Sequence, residues 1–294
     1  MTRQHDGPKA TTAGRRPPVA AGGLSQRVCG ACLVLGTVGF ATLSALHPPT
    51  FDPRAVRKTV QAILAEPFWA LLHWGLLAAV LVLACGLAGL HHLLRASGAA
   101  VWSPWARAFT WASTTLWSAI FVAEAAGGTT LARGLARGWG WPSAGGSAAL
   151  PEARLDGAAA AAIEGIAGAL WSSTLAIGYV AAFLLALAIG LWSLDLARTR
   201  LFGDGPARLG LWAAAAALPA QPLAWFFPAA ALWLLVPPTF GLAVWTLWLG
   251  TILLKTARPR GQAALRYDAP AGAGPSAGTP GVRTASRRHR WPTR

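Results

Sequence analysis

Four ionisable side chains stand in or beside the apolar runs of this sequence. His73 lies in FWALLHWGLL (68–77), Glu124 in AIFVAEAAGG (119–128) and Glu164 in AAIEGIAGAL (161–170), while His47 opens the tripeptide HPP. An ionisable group inside an apolar span costs a few kcal/mol at the bilayer centre, so such groups mark functional sites by default. Two imidazoles and two carboxylates can relay protons, because imidazole titrates near neutrality and burial raises a carboxyl pKa. The same four are competent ligands for a divalent metal. Against both uses stands the cheaper alternative, in which each group snorkels to water from the end of its own helix. The four fall on separate segments with no fixed spacing, so they are read as candidates for an outward-facing polar vestibule. No catalytic residue, metal or cofactor is assigned.

A second constellation is Cys29-x-x-Cys32 in VCGACLVLGTVG, with His91 and His92 closing the following apolar run. Four such side chains make a zinc quartet elsewhere, but adjacent helical histidines diverge by about 100°. Close helix packing through small Cys and Gly residues accounts for the stretch more simply. Phosphate-binding GxxxxGK[ST], nucleophile-elbow GxSxG and metalloprotease HExxH patterns do not occur.

The elements that must position these groups are membrane spans. Only 12% of the 294 residues are charged while 54% are hydrophobic, about half the charge of a soluble domain. Sixteen Trp against two Tyr suit a chain with many side chains at headgroup level. Apolar stretches long enough to cross a bilayer predict six spans at about 28–46, 68–90, 108–128, 167–193, 207–225 and 232–254. The third is the weakest, being rich in Ser and Thr. The fold class expected is therefore an all-α membrane protein, a six-transmembrane-helix bundle with disordered basic tails at 1–27 and 255–294.

The charge distribution orients the bundle. With the N-terminus inside, nineteen Lys and Arg fall on the inner side and six on the outer side, which places both termini in the cytoplasm. The net charge of +15 thereby reads as tails facing anionic headgroups rather than nucleic acid. None of the three cysteines lies in an outer loop, which excludes a disulfide-stapled ectodomain. In the outer loop 47–67, Val56, Val60 and Ile63 or Leu64 recur at helical spacing and predict a short amphipathic helix. The loop 129–157 reads as Gly-rich interfacial chain. Among the prolines near the last two spans, only Pro219 is expected inside a helix; Pro222, Pro228, Pro237 and Pro238 read as markers of the outer turn.

A basic tail, one span, an outer HPP segment with a short helix, then a span opening FWALLHWGLL and closing GLAGL (86–90) form a layout over about 28–255. It resembles uncharacterised six-helix integral membrane proteins of actinobacterial type. The resemblance implies membrane residence and six helices, and no activity. The function expected is a non-enzymatic polytopic protein: a small transporter, sensor or assembly factor. The alternative is a membrane-embedded enzyme or metal-binding protein using His73, Glu124 and Glu164.

Overall fold

Long apolar runs interrupted by short polar turns leave the backbone one way to satisfy its hydrogen bonds in lipid, the helix. In the computed structural model, which describes residues 23–48, 56–98, 100–139 and 157–257, the chain is all helical, with no strand among the described residues. In chain order the helices are α1 (Gly23–Leu46), α2 (Val56–Ala65), α3 (Trp69–Ala96), α4 (Ser103–Ala123), α5 (Thr129–Gly138), α6 (Gly157–Thr199), α7 (Asp204–Phe226) and α8 (Ala231–Thr256). A π-helical turn, Glu124–Gly128, joins α4 to α5, and a 3-10 turn, Pro228–Ala230, leads into α8. The segments expected as disordered tails lie largely outside the described residues.

Five helical segments are long and apolar enough to cross a membrane: Ser25–Leu46, Trp69–Ala96, Gly157–Thr199, Asp204–Phe226 and Pro228–Thr256. The sixth expected span, α4, is the least apolar. Its hydroxyls are nevertheless spent internally. Thr110, Thr114, Thr115 and Ser118 each donate to the carbonyl four residues back, and Ser113 reaches across to the Ala181 carbonyl of α6 at 2.7 Å. This removes much of the penalty of placing such side chains away from water.

The six long helices pack in a closed ring whose order is α1, α3, α4, α6, α7, α8 and back to α1. The core joining α1, α3, α6 and α8 includes Leu33, Leu87, Leu90, Trp192, Trp245 and Leu249, all essentially inaccessible. A second cluster at the opposite end of the ring joins α2, α5 and α6 to the first turn of α3 through Val56, Val60, Ile63, Trp69, Leu135 and Ala167. Large apolar side chains such as Trp212, Trp233 and Phe240 face outward, as expected where lipid is the solvent.

Helix-to-helix approach is closest at glycines. A Cβ on Gly36 would lie 2.5 Å from the Leu83 nitrogen, and one on Gly30 would lie 2.7 Å from the Gly250 carbonyl oxygen. The Cys-x-x-Cys stretch serves this packing: the Cys29 thiol is buried against Gly89 and donates to the Gly86 carbonyl at 3.0 Å.

Several boundaries differ from the sequence reading. The amphipathic helix expected in the loop 47–67 is α2, with Val56, Val60 and Ile63 as its buried face. Its counterpart α5 replaces the interfacial chain expected at 129–157, because glycines mask a short amphipathic pattern, Leu131, Ala132, Leu135 and Ala136, that packs on α2. The fourth span expected at 167–193 extends at both ends to Gly157–Thr199, since the alanine-rich lead has the best helix propensity. Pro222, Pro237 and Pro238 lie inside helices with Pro219, and only Pro228 marks the turn. Each internal proline removes one backbone hydrogen bond; in an apolar bundle the rest of the helix still has no better state than helical.

Candidate functional site

The end of α1 and the start of α3 meet beside the α2 and α5 layer, and this junction brings His47 and His73 together. Their Nε2 atoms are 3.3 Å apart and their ring centroids 5.0 Å apart, with the rings inclined at 77°. The outer nitrogens are held by backbone: His47 Nδ1 donates to the Pro48 carbonyl at 2.7 Å and His73 Nδ1 to the Trp69 carbonyl at 2.8 Å. A carbonyl oxygen only accepts, so the hydrogen-bond network assigns the proton of each neutral ring to Nδ1. Both Nε2 atoms then present lone pairs, and these face each other. Neither can donate to the other.

Trp69 builds the wall of this junction. Its ring lies 4.6 Å from that of His73 and 4.9 Å from that of His47, and its indole N–H donates to the Glu124 carbonyl at 3.2 Å. Phe121 closes the opposite side of His73 at 6.2 Å. His73 is thus turned into the protein with 3% of its surface exposed; snorkelling to water does not describe it. Burial pushes the His47 imidazole below its ordinary value, the Pro48 carbonyl and the Glu66 carboxylate pulling the other way.

The two acidic candidates are placed differently. Glu124 opens the π-helical turn, in the same layer as the imidazoles and next to Trp69. Its Oε2 is buried without a hydrogen-bond partner, and a Cβ on Gly128 would sit 2.8 Å from both that oxygen and the indole nitrogen. Its carboxylate makes no hydrogen bond to either imidazole among the described residues. Glu164 turns to α2, where it pairs with Arg57 at 3.3 Å in a contact whose arginine is 61% exposed. The structure therefore joins His47 to His73, sets Glu124 beside their tryptophan wall, and gives Glu164 a surface partner.

At the other end of the ring lies a polar junction that the sequence reading did not single out. Asp195, fully buried on α6, accepts from the backbone N–H groups of Val101, Trp102 and Ser103 at 3.3, 3.0–3.1 and 2.6 Å. Helix α4 has no capping side chain of its own, so a carboxylate from a neighbouring helix takes up the unpaired donors and the positive end of the helix dipole. The Ser103 hydroxyl also meets His91 Nδ1 at 3.1 Å. The signal is a lone acidic residue inside LWSLDLA (191–197), just past the end of the span expected at 167–193.

A small apolar cleft among α1, α3, α4 and α6 is lined by Phe40, Val80, Leu87, Ser113, Thr114 and Trp117. Its hydroxyls are already bonded to backbone, so it offers no unpaired polar group to a ligand. Compared with known proteins, the chain matches no family model, no curated protein and no solved structure.

Proposed function

We propose that the chain is a multi-pass protein of the plasma membrane with both termini cytoplasmic, α4 forming a sixth span, and a polar site on its outer side built on His47 and His73. It belongs on this reading to the non-enzymatic class: a small transporter, a sensor or an assembly factor. Its sequence layout resembles that of six-helix membrane proteins of actinobacterial type. The observation that carries the proposal is the convergence of two imidazole lone pairs inside an otherwise apolar junction. Buried polar groups left facing each other are costly unless something satisfies them, so the pair is there to take up a cation or a proton. Orientation rests on charge: Arg95, Arg107, Arg198, Arg200, Arg208 and Lys255 lie at the Asp195 end, and Arg57, Lys58, Arg133 and Arg137 at the His73 end.

Thiol labelling tests this in intact cells. In a background with Cys29, Cys32 and Cys85 replaced by Ala, Arg133→Cys should react with a membrane-impermeant maleimide, and Arg208→Cys only after permeabilisation. The reverse pattern overturns the orientation, and labelling of both from outside overturns the count of crossings.

A further inference from the structure

We propose that His47 and His73 form a two-imidazole site for a tetrahedral divalent cation of the zinc type. The proposal deepens the reading that the His73 end carries the functional site, and it rests on that reading. The separation of the two nitrogens suits two ligands of one tetrahedral ion. Two Zn–N bonds of about 2.05 Å meeting at about 107° span 3.3 Å, the separation of the two Nε2 atoms. A right-angled pair, as in cis positions of square-planar or octahedral sites, would bring the same atoms to about 2.9 Å.

Ring placement gives a second measure. Each Nε2 lies about 1.2 Å from its ring centre, so rings pointing at a common tetrahedral ion have centroids about 5.2 Å apart. Rings pointing straight at each other through a linear N–H···N bond have centroids about 5.7 Å apart at the same nitrogen separation. The observed 5.0 Å is shorter than the linear arrangement gives and closer to the bent one.

The surroundings are those of ligating histidines. Each outer Nδ1–H is held by a backbone carbonyl, the contact that fixes the tautomer and orientation of a metal-binding imidazole and leaves Nε2 free to ligate. Trp69 packs on both rings and limits their rotation. Among the described residues no third His, Cys, Asp or Glu completes a set of three. The protein thus supplies two ligands, and water fills the remaining positions. Such a site exchanges its ion and ligands readily, which fits binding or sensing of the cation better than a structural lock.

The test uses the full-length chain in detergent, stripped with chelator and then titrated with Zn2+ against a chromophoric competitor. One Zn2+ per chain is expected, retained when Cys29, Cys32 and Cys85 are replaced by Ala. His47→Gln and His73→Gln should each weaken it about 100-fold, while Glu124→Gln leaves it within about threefold. Co2+ bound to the unmutated chain should give the intense visible absorption of tetrahedral nitrogen–oxygen coordination, a readout that does not depend on any variant folding. Absence of stoichiometric Zn2+ in the unmutated chain, or binding indifferent to both histidine variants, overturns the proposal. Thiol labelling decides the orientation separately: zinc binding with reversed labelling keeps the site and removes its outward placement. The expected labelling without zinc removes the metal and keeps the membrane reading.

Discussion

Asp195 and His73 illustrate what a single buried polar residue does in this bundle, and they do opposite things. Asp195 is satisfied: its two oxygens accept from three successive N–H groups at the start of α4. Asp195→Ala leaves those donors without a partner and should destabilise the protein by about 1.5–3 kcal/mol, the range for hydrogen bonds to a charged group. Asp195→Asn keeps one acceptor and the shape, and should fall between. Thermal unfolding in detergent measures both, and an unchanged midpoint for Asp195→Ala would show that water replaces the cap without loss. His73, by contrast, is incompletely satisfied, and that is its interest. The sequence displays His47, His73, Glu124 and Glu164 as suspects because each interrupts or borders an apolar run. It does not display the pairing. Residues 47 and 73 meet only because the end of α1 lies against the start of α3 in one register, and no local spacing encodes that. Trp69 counts in the sequence as one of sixteen rings suited to headgroup level, yet it is 2% exposed and forms the wall of the site, since the α2 and α5 layer covers it.

At the scale of elements, that register is set by small residues. A Cβ on Gly36 meets the backbone of Leu83, whereas one on Gly165, in the N-terminal part of α6, meets nothing within 4 Å. The two glycines therefore predict opposite outcomes. Gly36→Val should push α1 from α3 and destabilise by about 1–3 kcal/mol; it should also weaken Zn2+ binding, because His47 rides on the end of α1. Gly165→Ala should stabilise by about 0.5–1 kcal/mol through helix propensity alone. Unfolding midpoints of the pair compared with the unmutated chain decide it, and equal small effects would remove close approach as the cause. Helices α1, α3, α7 and α8 were readable from length and hydropathy, and α2 from its apolar spacing. What sequence hid has specific causes: two glycines in α5 lower its apparent helicity, the hydroxyls of α4 conceal their internal bonds, and Pro222, Pro237 and Pro238 break helices in water more readily than in an apolar bundle.

For the whole molecule, the ring order explains how distant parts of the chain become neighbours. Six long helices alternating in direction return the chain to the side on which it began, and α8 packs on α1 to close the circle. The seam is both apolar and polar. Gly30 and Gly250 face each other in its middle, Thr37 Oγ1 and Thr246 Oγ1 are 2.8 Å apart, Gln26 Nε2 donates to Thr256 Oγ1 at 2.7 Å, and the Arg27 guanidinium donates to the Ala257 carbonyl at 3.3 Å. These contacts predict that Gln26→Cys and Thr256→Cys, placed together in a chain otherwise free of cysteine, join within one molecule through a short bis-maleimide. The product is a monomer band of altered mobility on a denaturing gel. Gln26→Cys with Arg107→Cys provides the control, because Arg107 starts α4, which has no extensive packing with α1 in the ring; that pair should remain unlinked. Bridging between molecules instead of within one would mean that α1 and α8 close the ring with a second copy. Equal bridging of both pairs would mean that the helices are not arranged in this order at all. Only the intramolecular α1–α8 bridge, without the control, agrees with a closed ring that holds the start of α1 and the end of α8 at the Asp195 end and the His47–His73 pair at the opposite one.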